Sequence, residues 1–211
     1  MPKLAVPVTP AELSRTMAAL AESLVSGVAP RYVDCRTRAG EKSTESFGVV
    51  ARQVEAEGGE CVAGWALWEL PGVFVEAEYC ALWRGPAGEL LDIVPRTSPT
   101  RRVLFLPDPQ RTAVPAGQRS VRRPVVNDPA LLAYLATFDQ EAQLFARGAL
   151  DEKSGAQRLA PADVGAYERV VAQRIQLQQS VQSLYPEWGP YSPCWCGSGQ
   201  KARWCHGVQQ A

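Results

Sequence analysis

Alternation between apolar and polar positions is clearest from residue 61 to residue 83. The runs CVAGWALWEL (61–70) and VFVEAEYCALW (73–83) are dense in aromatic and branched side chains, with Pro71-Gly72 between them. Such runs around a turn dipeptide predict a β-hairpin. In the second run Val73, Val75, Ala77, Tyr79, Ala81 and Trp83 share one face. Phe74, Glu76, Glu78, Cys80, Leu82 and Arg84 share the other. The first face is wholly apolar, so it is expected on a core, with the glutamates turned to solvent. RYVDC (31–35), ELLDIV (89–94, after the turn Gly85-Pro86-Ala87-Gly88) and RVLFL (102–106) predict further strands.

Helical spacing appears in four places. Leu13, Met17, Leu20, Leu24 and Val25 follow Thr9-Pro10-Ala11-Glu12, a cap residue with Pro and Glu in the first turn, and Gly27 offers a stop. A second helix is predicted over about 46–57, capped near Thr44 and ended by Gly58-Gly59. Asn127-Asp128-Pro129 opens a third, with Leu131, Leu132, Leu135, Phe138, Leu144 and Phe145 as its buried stripe. A fourth is predicted over about 161–184. Val164, Tyr167, Val171 and Ile175 form its first stripe, and Val170, Leu177, Val181 and Leu184 carry it onward past Arg174 and Gln178. Tyr185-Pro186 ends it.

Composition changes this picture little. The 211 residues carry 22 Lys plus Arg against 22 Asp plus Glu, so the whole chain has no bias toward polyanions. The opening MPKLAVPVTP lacks the apolar stretch of a secretory signal, and no run matches a membrane span. The expectation is a cytoplasmic protein, in which six cysteines point to metal or free thiols.

Three of those cysteines and the one histidine fall within PCWCGSGQKARWCHG, residues 193–207. Cys194 and Cys196 are spaced C-x-C, Cys205 and His206 are adjacent, and Gly197-Ser198-Gly199 opens the eight residues between the pairs. Thiolates and imidazole are the donors of a tetrahedral zinc site, and glycine permits the sharp turn that neighbouring ligands need. Four ligands fill the shell and leave no position for an activated water, which argues for a structural ion.

CWCGSGQKARWCHG resembles the SEC-C motif, the small zinc module at the C-terminus of the protein-translocation ATPase SecA and of many unrelated bacterial proteins. That pattern is C-x-C-G-S-G, a basic stretch, then C-[CH]-G. The resemblance implies one Zn2+ held by Cys194, Cys196, Cys205 and His206. Trp195 stands where Pro is common, and Gln200 to Trp204 is less lysine-rich than usual. The expected role is docking of a protein partner through Trp195, Lys201, Arg203 and Trp204, which interleave with the ligands.

Two other chemistries have signals in the sequence. Residues 107–125 read as a Pro-, Gly- and Arg-rich loop, and from Arg101 to Arg123 six arginines face one acid, Asp108. That stretch would be the contact if nucleic acid were the partner, although no aromatics alternate with the arginines. The order Ser46 at a helix start, Cys80 on a strand and Asp92 on the next is similar to the nucleophile, base and orienter of papain-like and transglutaminase-like cysteine enzymes. A pocket near Glu76, Glu78, Cys80 and Asp92 would be its site. The chain's one histidine is claimed by the terminal motif, so the base is missing and the reading leans away from an enzyme. Cys35, Cys61 and Cys80 have no ligand spacing and are expected to be small buried apolar residues.

The fold expected from all this is α+β: an antiparallel sheet with flanking helices over residues 1–125, a C-terminal helical pair over 126–187, and a zinc knuckle over 188–211.

Overall fold

The computed structural model describes residues 6–38, 40–42, 44–96, 100–110, 120–149, 158–185, 189–194 and 198–205. Its strands are β1 (Arg31–Cys35), β2 (Glu60–Leu70), β3 (Phe74–Arg84), β4 (Leu90–Asp92), β5 (Arg102–Pro107) and β6 (Val121–Pro124). They run in the order β2-β5-β1-β4-β3-β6, and β2 also pairs with β3. Five strands therefore close into a barrel, with β6 attached outside the ring. The mixed α+β class is as expected, but a simple antiparallel sheet is not what forms. The ring closes on itself, and β1 runs parallel to β4.

The length of the central hairpin makes closure possible. β3 pairs with β2 along all eleven residues. Its other edge is divided: Phe74 to Ala77 take β6, while Trp83 and Arg84 take β4. β2 meanwhile gives Gly64 to Leu67 to β5. Right-handed twist accumulated along two long strands brings the ends of such a sheet together.

Closure gives each strand an inside and an outside. Val33, Ala66, Cys80, Leu82, Val103 and Phe105 form a core made only of strand residues, which is the barrel interior. Gly64 lies on this side: a Cβ there would sit 2.5 Å from Cζ of Phe105 and against the Leu106 carbonyl. The outer face of the hairpin carries Trp65, Leu67, Val75 and Ala77 under α1 (Arg15–Leu24), and Ala81 and Trp83 under α2 (Ser46–Glu57). The apolar face predicted for residues 73–83 is thus the one beneath helices. The face with the glutamates divides: Cys80 and Leu82 line the barrel, Glu78 stands at its end with its side chain still 44% exposed, and Glu76 faces the helical pair.

Local signals placed the helices with small shifts. α1 begins at Arg15, later than Thr9-Pro10 suggested, with Ser14 as cap and its Oγ accepting from the Met17 amide. Thr9 is instead tied to the sheet. Its hydroxyl donates to the Arg102 carbonyl at 2.8 Å, and its neighbour Val8 bridges Glu69. α2 is capped not by Thr44 but by Glu45, whose carboxylate accepts from the amides of Phe47 and Gly48. It stops at Gly58, where φ is 77°.

The helical pair is α3 (Pro129–Ala146) and α4 (Val164–Leu184), the latter preceded by a 3-10 turn at Pro161–Asp163. Asp128 caps α3 as expected, accepting from the Leu131 amide at 3.0 Å. Leu131, Leu135 and Val181 pack on Leu70, Val73 and Phe74 at one end of the hairpin, so the pair shares a core with the barrel. Leu132 is exposed, contrary to its predicted place in the buried stripe. In α4 the predicted first stripe is half right: Val164 and Ile175 are exposed, while Val171 is half-buried and Tyr167 meets Phe145 of α3 edge to face. The face toward α3 is marked by Arg174, which bonds Thr137 and pairs with Glu141 while its guanidinium lies 3.9 Å from the Phe138 ring centre. A cation satisfied in this way packs where an apolar residue was expected.

The predicted long loop 107–125 is partly strand, since Val121–Pro124 forms β6; residues 111–119 lie outside the described residues. Its acid, Asp108, is buried and accepts from Trp65 Nε1 at 3.1 Å. Arg122 pairs with Glu76 and stacks on Phe138, Arg102 stacks on Tyr32, and Arg123 bonds Ser23. These three arginines hold elements together.

Candidate functional site

The terminal motif folds as a small hairpin followed by a helical turn, α5 (Ala202–Cys205). Pro193 and Lys201 pair as an antiparallel bridge, and the Cys194 amide donates to the Gln200 carbonyl at 2.8 Å. Gly199 supplies the positive φ, 78°, that the return needs. Ala202, fully buried, donates its amide to Ser192 and anchors α5 to the hairpin's start.

Cys194 is buried at 2% exposure, and Cys205 sits in α5 with its sulfur 3.1 Å from the Ser198 hydroxyl. The Gln200 amide donates to that same hydroxyl. The donor types and the turn thus suit half of a tetrahedral site. Cys196 and His206, the other predicted ligands, lie outside the described residues, as does Trp195. Among the described residues no group of three or more His, Cys, Asp or Glu side chains is placed to hold a metal ion.

The outer surface of this hairpin is aromatic and basic. Tyr191 and Trp204 are exposed at 55% and 65% and meet edge to face at 6.1 Å. Lys201 Nζ lies 5.7 Å from the Tyr191 ring centre and 5.5 Å from that of Trp204. Arg203 donates to the Tyr191 hydroxyl at 3.0 Å. The sequence pointed to Lys201, Arg203 and Trp204 but missed Tyr191. Its only signal was an aromatic residue just ahead of the motif.

The second predicted site divides in two. Glu78, Cys80 and Asp92 come together at one end of the barrel interior, and Glu76 does not join them. The residue that gathers them, Arg96, gave no signal in the sequence. Its Nε donates to Asp92 at 2.8 Å, its Nη1 meets Glu78 at 3.4 Å, and its guanidinium lies over the Trp68 ring. Trp68 Nε1 also donates to Glu78 at 3.1 Å. Asp92 is fully buried and accepts from the Val94 amide with its other oxygen. Cys35 directs its thiol at Asp92, 3.7 Å away.

This cluster plugs the barrel rather than opening it. Burial pushes the Cys80 thiol up to about 12. Burial, and then the Asp92 charge, push the Cys35 thiol up as well. Neither is a nucleophile near neutrality. Ser46 is the first residue of α2, nearly buried, and its hydroxyl accepts from the Ala81 amide at 3.1 Å, next to Cys80. Ser46 therefore lies with Ala81 on the α2 side, while Cys80 and Asp92 meet inside the barrel, and no imidazole accompanies either among the described residues. Of the three remaining cysteines, Cys80 is buried as expected, Cys35 partly so, and Cys61 is exposed.

Glu76 belongs to a separate cleft of about 220 Å3 between β3 and the helical pair, lined also by Tyr134, Phe138 and Gln178. Burial raises its carboxyl above the ordinary value, against the pull of Arg122. The ion pair with Arg122 fills the polar needs of this cleft from within. Protein-family models, curated proteins and solved structures yield no match to this chain.

Proposed function

We propose that this is a zinc-binding bacterial protein whose C-terminal hairpin holds one structural ion and docks a protein partner. The ligands are Cys194, Cys196, Cys205 and His206. The ion supplies no reaction chemistry; it fixes the hairpin, and in comparable isolated modules such binding is worth ~10–16 kcal/mol. The carrying observation is the hairpin itself. It buries Cys194, sets a hydroxyl on the Cys205 sulfur, and still leaves Tyr191, Lys201, Arg203 and Trp204 outward. Aromatic residues with cations held over them suit an acidic protein surface, because they offer apolar area and charge together.

Mass spectrometry of the full chain under non-denaturing conditions tests the metal. One zinc per chain is expected, lost with Cys194→Ser; an ion-free protein from unsupplemented purification refutes the reading. Replacing Arg203 and Trp204 by Ala tests docking. Zinc is expected to stay while cross-linked partners in the native cell disappear, and an unchanged set of partners refutes the docking role.

A second reading concerns the barrel. Ser46, Cys80 and Asp92 follow the order of a cysteine-hydrolase site along the sequence, and that order alone motivates a catalytically degenerate relative; in space only Cys80 and Asp92 meet. With the Ser46 oxygen accepting from a backbone amide and Asp92 taken by Arg96, the groups have no acyl-transfer chemistry left. Fluorophosphonate and iodoacetamide probes are expected to leave Ser46 and Cys80 unlabelled in the folded chain. Labelling of either would overturn the inactive assignment.

A further inference from the structure

A cleft of about 370 Å3 lies beside α2, and no described residue of the terminal hairpin lines it. Arg36 and Arg38 line it from the segment that leaves β1, where their amides bond the carbonyls of Asp92 and Ile93. Gln53 and Glu57 line it from α2, one turn apart. Trp83 and Ile93 add apolar surface. The volume is within the range of small-ligand sites.

The polar groups here are not satisfied from within. Gln53 is only 6% exposed, yet its side-chain oxygen is buried without a hydrogen-bond partner. Folded proteins seldom leave such an acceptor unpaired, because it has lost water and gained nothing. Among the described residues Arg36 makes no ion pair, and Arg38 reaches only Glu41, at 3.9 Å. So the cleft offers two guanidinium groups, one buried oxygen without a donor, the exposed carboxylate of Glu57, and an indole beside them.

A plain anion would meet Arg36 and Arg38 but face Glu57 and leave Gln53 unpaired. A plain cation would do the reverse. We propose that this cleft binds a small zwitterion with an apolar side chain, an amino acid or a dipeptide. Its carboxylate rests on Arg36 and Arg38, its ammonium lies between the Gln53 oxygen and Glu57, and its side chain packs on Trp83 and Ile93. Guanidinium is the side chain best matched to a carboxylate, and an ammonium supplies the donor that the Gln53 oxygen lacks and the charge that complements Glu57.

The test is calorimetry and thermal unfolding of the full chain with L-leucine, L-phenylalanine and L-leucyl-L-leucine. N-acetyl-L-leucine, which has no ammonium, and L-leucinamide, which has no carboxylate, are the controls. At least one zwitterion is expected to bind and raise Tm, and each blocked form is expected to bind about tenfold more weakly or worse. Binding by the single amino acids or only by the dipeptide distinguishes the two sources. Arg36→Ala is expected to weaken binding by a similar factor. Gln53→Leu keeps the shape and removes the stranded oxygen, so it is expected to raise the ligand-free Tm while reducing the ligand's effect. The proposal fails if no zwitterion shifts Tm at millimolar concentration. It fails equally if blocked forms bind as well, if Arg36→Ala leaves binding unchanged, or if Gln53→Leu lowers the ligand-free Tm.

Discussion

Replacing Asp92 with Asn probes the plug at the end of the barrel. The carboxylate is fully buried and receives Arg96 Nε at 2.8 Å and the Val94 amide at 3.2 Å. The carboxamide keeps the shape and can still accept from Val94, so no cavity opens. What disappears is the charge opposite a guanidinium whose own side chain is 12% exposed. Removing one partner of a buried pair costs ~3–5 kcal/mol. The lower figure applies here, because Glu78 still faces Arg96 at 3.4 Å and is itself 44% exposed. A loss of about 3 kcal/mol is a large part of the ~5–15 kcal/mol that holds a typical domain. Urea unfolding followed by tryptophan fluorescence reads it as a lower midpoint at unchanged slope. Arg96→Met should also destabilise, by stranding Asp92. The double variant should cost less than the sum of the two, with a coupling of roughly 2 kcal/mol. A cost for Asp92→Asn below about 1 kcal/mol, or strict additivity, would refute the idea that this pair closes the barrel end.

Two further tests address the interior. Gly64→Ala places a methyl 2.5 Å from the Phe105 ring, and overpacking of this kind typically costs ~1–3 kcal/mol. Circular dichroism should show a lower Tm, relieved when Phe105→Leu is added; an unchanged Tm would mean that the strands do not approach so closely. The Cys80 thiol, held at about 12 when folded, ionises near 8.5 when the chain unfolds, so the unfolded state releases its proton first as pH rises. Its contribution is fully present below the unfolded value and is lost as pH climbs through that interval toward 12. Cys80→Ala should flatten this part of the stability profile in denaturant titrations, and identical slopes for both proteins would count against the buried thiol.

Much of the local structure could be read from neighbours in the chain. Asp128 and Pro129 start α3, Gly58 ends α2, and Pro71-Gly72 turns the hairpin. Each of these signals acts over a few residues, so no distant partner is needed to interpret it. The C-x-C pair, the glycines and the Cys-His pair likewise mark the terminal motif without any tertiary information. Barrel closure is different. It depends on β2 meeting β5 and β1 meeting β4, pairings between segments some forty to sixty residues apart. No local pattern announces them.

The misread residues follow from that distance. Glu76 and Glu78 alternate with apolar neighbours as a solvent-facing strand would. Only the fold brings Arg122 to one and Arg96 to the other, which lets charge sit against a barrel wall. Arg174 breaks an apolar stripe in sequence but faces its helical partner, because Thr137, Phe138 and Glu141 receive it. Arg36 and Gln53 carry no motif at all, and the cleft they line exists only where α2 crosses the end of β1. The sequence by itself determined most of the elements and the spacing of the terminal cysteines and histidine, since turns, caps and neighbouring residues are short-range properties. Tertiary structure alone decided which face became the interior and which charges met, since a buried charge is tolerable only where a partner from elsewhere in the chain neutralises it.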